Sequence, residues 1–135
     1  MPGMNYGLDK GFQVQTAVTK FLVVKHGTAD QTCTAVTTLN DAPLGVAQEA
    51  ATAADVTKGR IIDVRLSGIA RCVAGAAITR GTRVRAAASG KVVALSGTAG
   101  TVDNVVGITM MSSAADGDHF DVLLTPGVTV NTAVS

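Results

Sequence analysis

Aromatic side chains are almost missing from this sequence, which has no tryptophan, one tyrosine (Tyr6) and three phenylalanines in 135 residues. A core built without them is filled by many small contacts, and its apolar content is mostly Ala and Val. The same scarcity weighs against a β-sandwich sugar-binding module, which usually offers rings to its ligand. Charge is thin as well: 16% of residues are charged, where about a quarter is usual. A surface with so few charges is a solubility risk for a free monomer, so much of it is expected to meet other protein. The formal net charge of +1 and the scattering of basic residues remove the electrostatic basis for nucleic-acid binding. No apolar run approaches the ~18 residues of a membrane helix. The start, Met1-Pro2-Gly3-Met4-Asn5, lacks the basic and apolar stretches of a signal peptide. No nucleic acid and no membrane are expected as partners.

Catalytic machinery is also scarce. Cys33 and Cys72 are far apart in sequence, and His26 and His119 do not complete a zinc pattern with them. Two buried reduced thiols are expected, with a disulfide as the alternative. No Gly-x-Ser-x-Gly nucleophile elbow occurs, and both histidines read as solvated turn residues. Asp116-Gly117-Asp118 lacks the further carboxylates of a calcium loop. Gly97-Thr98-Ala99-Gly100-Thr101 lacks the Gly-Lys-Ser/Thr ending of a phosphate loop. The expectation is a protein that is not an enzyme and takes no cofactor or metal.

What is present is strand composition. Val, Ile and Thr suit a pleated surface. Arg60 to Ile69 has the clearest period of two, with Ile62, Val64 and Leu66 on one face and Asp63 and Arg65 on the other; Gly68 is expected to break it. Shorter strands are read at 21–24, 32–37, 44–47, 82–86, 91–95, 105–109 and 120–124. Asn40-Asp41-Ala42-Pro43 and Ser89-Gly90 mark turns, and 48–56 is the one stretch with helical composition. Many short strands about ten residues apart indicate a sandwich or barrel. The fold expected is all-β: a small barrel or β-tulip-like sandwich over residues 21–127. A flexible N-terminal arm (1–20) with three glycines precedes it, in which the loose alternation of Phe12 to Val18 offers an edge strand as the alternative for its later part, and a tail (128–135) follows Pro126-Gly127.

Two segments repeat a pattern. Leu44-Gly45-Val46-Ala47 leads to Asp63-Val64-Arg65-Leu66, as Val106-Gly107-Ile108-Thr109 leads to Asp121-Val122-Leu123-Leu124. Each reads as strand, connection, strand and glycine turn, and two such units would close one small barrel.

The order of Val64-Arg65-Leu66-Ser67-Gly68-Ile69-Ala70, then Ala76-Ala77-Ile78-Thr79-Arg80-Gly81-Thr82-Arg83-Val84, Gly90-Lys91-Val92, Val106-Gly107-Ile108 and Phe120-Asp121-Val122-Leu123-Leu124 resembles a family of small phage capsid decoration, or cement, proteins. The resemblance covers residues 21 to 127. It implies a β-barrel or β-tulip domain on the outer surface of the capsid, assembled in the host cytoplasm. It further implies a homotrimer that bridges neighbouring major capsid subunits and stabilises the shell, with an arm reaching onto it. Tyr6, Leu8 and Phe12 are the apolar side chains able to anchor that arm. Arg80, Arg83 and Arg85 form the one basic cluster, either a solvated face or an interface patch, since Arg is enriched at interfaces. Rival readings are a carbohydrate-binding or adhesion module, a small hydrolase, or another virion part such as a tail tube or head fibre.

Overall fold

A computed structural model describes residues 7–131. The strands are β1 (Gly7–Val14), β2 (Val23–His26), β3 (Thr32–Ala35), β4 (Gly45–Ala47), β5 (Ile61–Val73), β6 (Arg83–Ala86), β7 (Val92–Ala94), β8 (Val102–Thr109) and β9 (His119–Val130), with one short helix, α1 (Ala53–Thr57). The all-β class is as expected. In the continuous sheet, β1, β3, β2, β4 and β5 follow one another and β5 returns to β1, which closes a five-stranded barrel; β9, β8, β6 and β7 continue beyond it.

The barrel interior is made by one face of each strand. Phe12 and Val14 of β1, Val24 of β2, Cys33 of β3, Ala47 of β4, and Ile62 and Val64 of β5 meet there with Val18 and Ala51. Burying a Val or Ile side chain stabilises by about 1.5–3 kcal/mol, so a core of small residues relies on their number. α1 begins where Thr52 accepts from the Asp55 N–H and Asp55 accepts from the Thr52 N–H, a reciprocal cap that lets five residues hold a turn.

The second half repeats the first strand by strand. Gly11 lies opposite Asp63 and Phe12 opposite Ile62 across β1 and β5; Arg71 lies opposite Asp121 and Cys72 opposite Phe120 across β5 and β9. Val23 and Val24 face Val46 and Gly45, as Arg83 and Val84 face Ile108 and Gly107. The bridge Val18–Ala51 recurs as Ile78–Ser113, and the parallel pairing of Val14 with Cys33 recurs as Ala74 with Val92. The repeat seen in the sequence is therefore real, but its unit is larger than the two strands read there. Each half forms a barrel-like unit of its own, not half of one barrel. β5 serves both units, its first part ending one and its second part opening the next.

Gly68 bends β5 without ending it. Its φ of +87° suits a residue with no Cβ, and a register shift falls beside it in β1. The first unit then contributes Val23, Val36 and Val46 to the core of the second, which holds Ala70, Cys72, Ala74, Ile78, Val84, Ala86, Val92, Val106, Phe120, Val122 and Leu124.

Two expected boundaries move. From Gly7 onward the proposed arm is a strand paired with β5 and β3; residues 1–6 lie outside the described residues. Strand β9 continues through Pro126-Gly127 to Val130, paired with β8. Pro126 is tolerated because β5 has stopped pairing at Leu124, so no ladder bond is lost there.

Cys33 and Cys72 are both free and buried, one in each core. Burial pushes the Cys33 thiol up to about 11, and burial with the nearby Asp121 charge pushes Cys72 up to about 12. A thiolate-directed reagent at neutral pH should therefore label neither in the folded protein and both on unfolding. Labelling kinetics across a denaturant series check this; rapid modification of either thiol in native buffer would contradict it.

Candidate interaction surface

Of the six side chains expected to form an interface, the structure brings the two arginines of β6 together. Arg83 and Arg85 alternate with buried Val84 and Ala86, so both lie on the outer face as the strand period requires. They differ in what they meet. Arg85 Nη1 donates to Asp103 Oδ1 at 3.2 Å, and Arg85 is committed within the fold. Arg83 is exposed and donates to the Thr129 hydroxyl at 3.3 Å, with no acid partner among the described residues. Arg80 sits in the exposed turn before β6, its backbone N–H bonded to Ser112 Oγ.

Leu8 is 61% exposed near the start of β1. Phe12 is 6% exposed and packs in the barrel core, so it is a core residue and not an arm anchor. Tyr6 lies outside the described residues.

Asp103, fully buried, organises the region beside β6. It accepts from Arg85, from Asn131 Nδ2 at 2.8 Å, and from the backbone N–H groups of Ser96 and Gly97. Desolvation raises its pKa, but the Asn131 bond, the two backbone bonds and the Arg85 charge together outweigh it. The carboxyl is held below its ordinary value. Sequence reading missed Asp103 because a lone Asp after a Gly/Ser/Thr loop reads as a turn residue.

Asn40 closes the outer edge of β8. Its side chain donates to the Val102 carbonyl and accepts from the Asn104 N–H, and its own carbonyl accepts from Asn104 Nδ2. Its φ of +71° is one that Asn tolerates better than most residues. The first parts of β8 and the last parts of β9 thus form a two-stranded ribbon, anchored at Asp103 and capped by Asn40. That ribbon carries exposed Val102, Val128 and Val130. A small groove beside it is lined by Arg83, Val105, Ile108, Thr125, Gly127, Val128 and Thr129.

Elsewhere the chemistry is sparse. Among the described residues no three His, Cys, Asp or Glu side chains gather as a metal site. His26 borders an open groove with Lys10, Asp30 and Leu44, and the His119 ring meets Phe21 edge-on at 5.7 Å. The Asp118 carboxylate caps the N–H groups of Ala114 and Ala115, which accounts for it as a turn residue.

The sequence matches no protein-family model and no curated protein sequence. The fold is similar to that of the head fibre gp8.5 N base of bacteriophage phi29, seen in a crystal structure. The TM-score is 0.64 and the identity 15%, over 87% of this chain and 93% of that one. At that identity the likeness shows a shared fold.

Proposed function

We propose that this chain is a structural part of a phage virion, seated on the outside of the head and held to the shell protein by surface contact. The observation that carries this reading is the fold shared with a phage head fibre base over nearly the whole of both chains. The sparse charge and the exposed valines of the ribbon support it, as properties of a protein whose work is binding area. In its finer form the proposal is a decoration role: a homotrimer that bridges neighbouring capsid subunits and stabilises the assembled shell. A protein that binds only the intact shell shifts disassembly by mass action, and many identical bridging sites sum to a large effect from modest contacts.

The second reading is the base of a head fibre, favoured by the nature of the structural neighbour. Heating separates the two. Heads lacking the protein should release DNA at a lower temperature than complete heads, and purified protein added back should bind them and restore the difference. Binding without a change in release temperature would leave the fibre-base reading and remove the cementing role. Failure to bind heads at all would remove both.

A further inference from the structure

Beyond Leu124, β9 leaves the core. Phe120, Val122 and Leu124 form its buried row; past a register shift against β8 between Leu124 and Gly127, Val128 and Val130, each 64% exposed, alternate with Gly127, Thr129 and Asn131. The internal repeat says what this stretch corresponds to. β5 likewise runs on past its first barrel, and its second part places Ala70 and Cys72 in the next core. Val128 and Val130 thus stand where a strand would open a third core, and no further strand of the described chain covers them.

The edge of β9 is open in the same place. The Asn104 N–H and Val102 carbonyl point to Asn40, away from β9. Their opposites in register, Val128 and Val130, therefore turn their own N–H and carbonyl groups away from β8. Those groups meet no partner among the described residues, since β5 stops pairing at Leu124. An open, apolar strand edge is a template for another strand. Beside it, Arg83 lines the groove of Val105, Ile108 and Val128. It stands where the first unit has Val23, which is buried against the second unit.

We propose that this ribbon docks an extended strand of a partner protein, which adds to the free edge of β9, covers Val128 and Val130, and sets a carboxylate on Arg83. Backbone bonds supply affinity in this mode and the side-chain pockets supply choice. The source of the strand is the shell protein, and for that source alone the inference rests on the function proposed above.

The test uses the full chain and two ten-residue peptides that alternate Val and Thr, one with a central Glu and one with a central Lys. The Glu peptide should bind about tenfold more tightly, slow amide exchange at Val128 and Val130, and lose binding to Val128→Asp. That variant changes an exposed side chain, and its melting temperature checks that the fold is intact. Arg83→Glu should reverse the preference. No binding by the native chain, or a preference that Arg83→Glu leaves unchanged, would overturn the proposal. Self-association abolished by Val128→Asp, with no peptide binding, would assign the ribbon to a second copy of the chain and overturn it equally. Stripped heads distinguish the source: Val128→Asp combined with Arg83→Glu should fail to bind them. If it binds as the native chain does, the shell is not the source, while a native chain that ignores heads sinks the function and not the docking site.

Discussion

Replacing Asp103 by Ala should cost about 3 kcal/mol of stability, the scale seen when one partner of a buried ion pair is removed. For a chain of this length that is a fall in melting temperature of about 10 °C. The loss is large because one carboxylate answers four donors: Arg85, Asn131 and the N–H groups of Ser96 and Gly97. Without it, the half-buried Arg85 guanidinium, whose Nε already lacks a partner, keeps its charge with nothing to balance it. Arg85→Met should cost less, because Asp103 retains three donors. The pH dependence follows from the sign of the shift. The Asp103 carboxyl is held below its ordinary value in the folded state. Its contribution is therefore present above the unfolded value near ~3.9 and is lost as pH falls through the lower folded value. Asp103→Asn should flatten the acid limb of a stability curve relative to the native chain. An unchanged limb would show that the pairing contributes nothing.

Gly45→Ala and Gly107→Ala should each destabilise by about 3 kcal/mol, at the upper end of overpacking costs, and by similar amounts. A Cβ at Gly45 would strike the Arg65 carbonyl and crowd the Val64 side chain; at Gly107 it would strike the Leu123 carbonyl and crowd Val122. Backbone cannot yield as a flexible side chain can, so the pairing of β4 with β5, or of β8 with β9, must open. Gly127 is the control. A Cβ there has only the Thr125 carbonyl within reach, at 3.9 Å, so Gly127→Ala should stay within about 0.5 kcal/mol. Denaturant midpoints of the three variants decide it. A mild Gly107→Ala beside a severe Gly45→Ala would break the equivalence of the two units.

That equivalence shows how far the sequence could be read. The shared Gly-Val/Ile and Asp-Val-x-Leu elements were visible, because Gly45 and Gly107 occupy one steric position and no other residue fits it. The rest of the repeat was hidden by compensation. The first core takes its aromatic ring from β1, as Phe12 opposite Ile62; the second takes it from β9, as Phe120 opposite Cys72. Each pair holds one ring, but on opposite strands of the pair, so comparison of single residues loses it. Arg83 in place of Val23 and Gly81 in place of Phe21 obscure it further.

The sequence by itself determined the all-β class, most of the short strands, the outward pairing of Arg83 with Arg85, and the burial of the two thiols. These follow from local periodicity and from the high cost of exposing apolar groups, both of which act residue by residue. Only the tertiary structure decided that β1 starts at Gly7 and lies between two strands, that β5 passes through Gly68 and β9 through Pro126, that Phe12 is core, and that Asp103 is buried. Each of these depends on a partner distant in the chain. β1 gains its ladder from β5, Pro126 is harmless only where β5 ends its pairing, and the Asp103 charge is tolerable only because Arg85, Asn131 and two loop N–H groups converge on it.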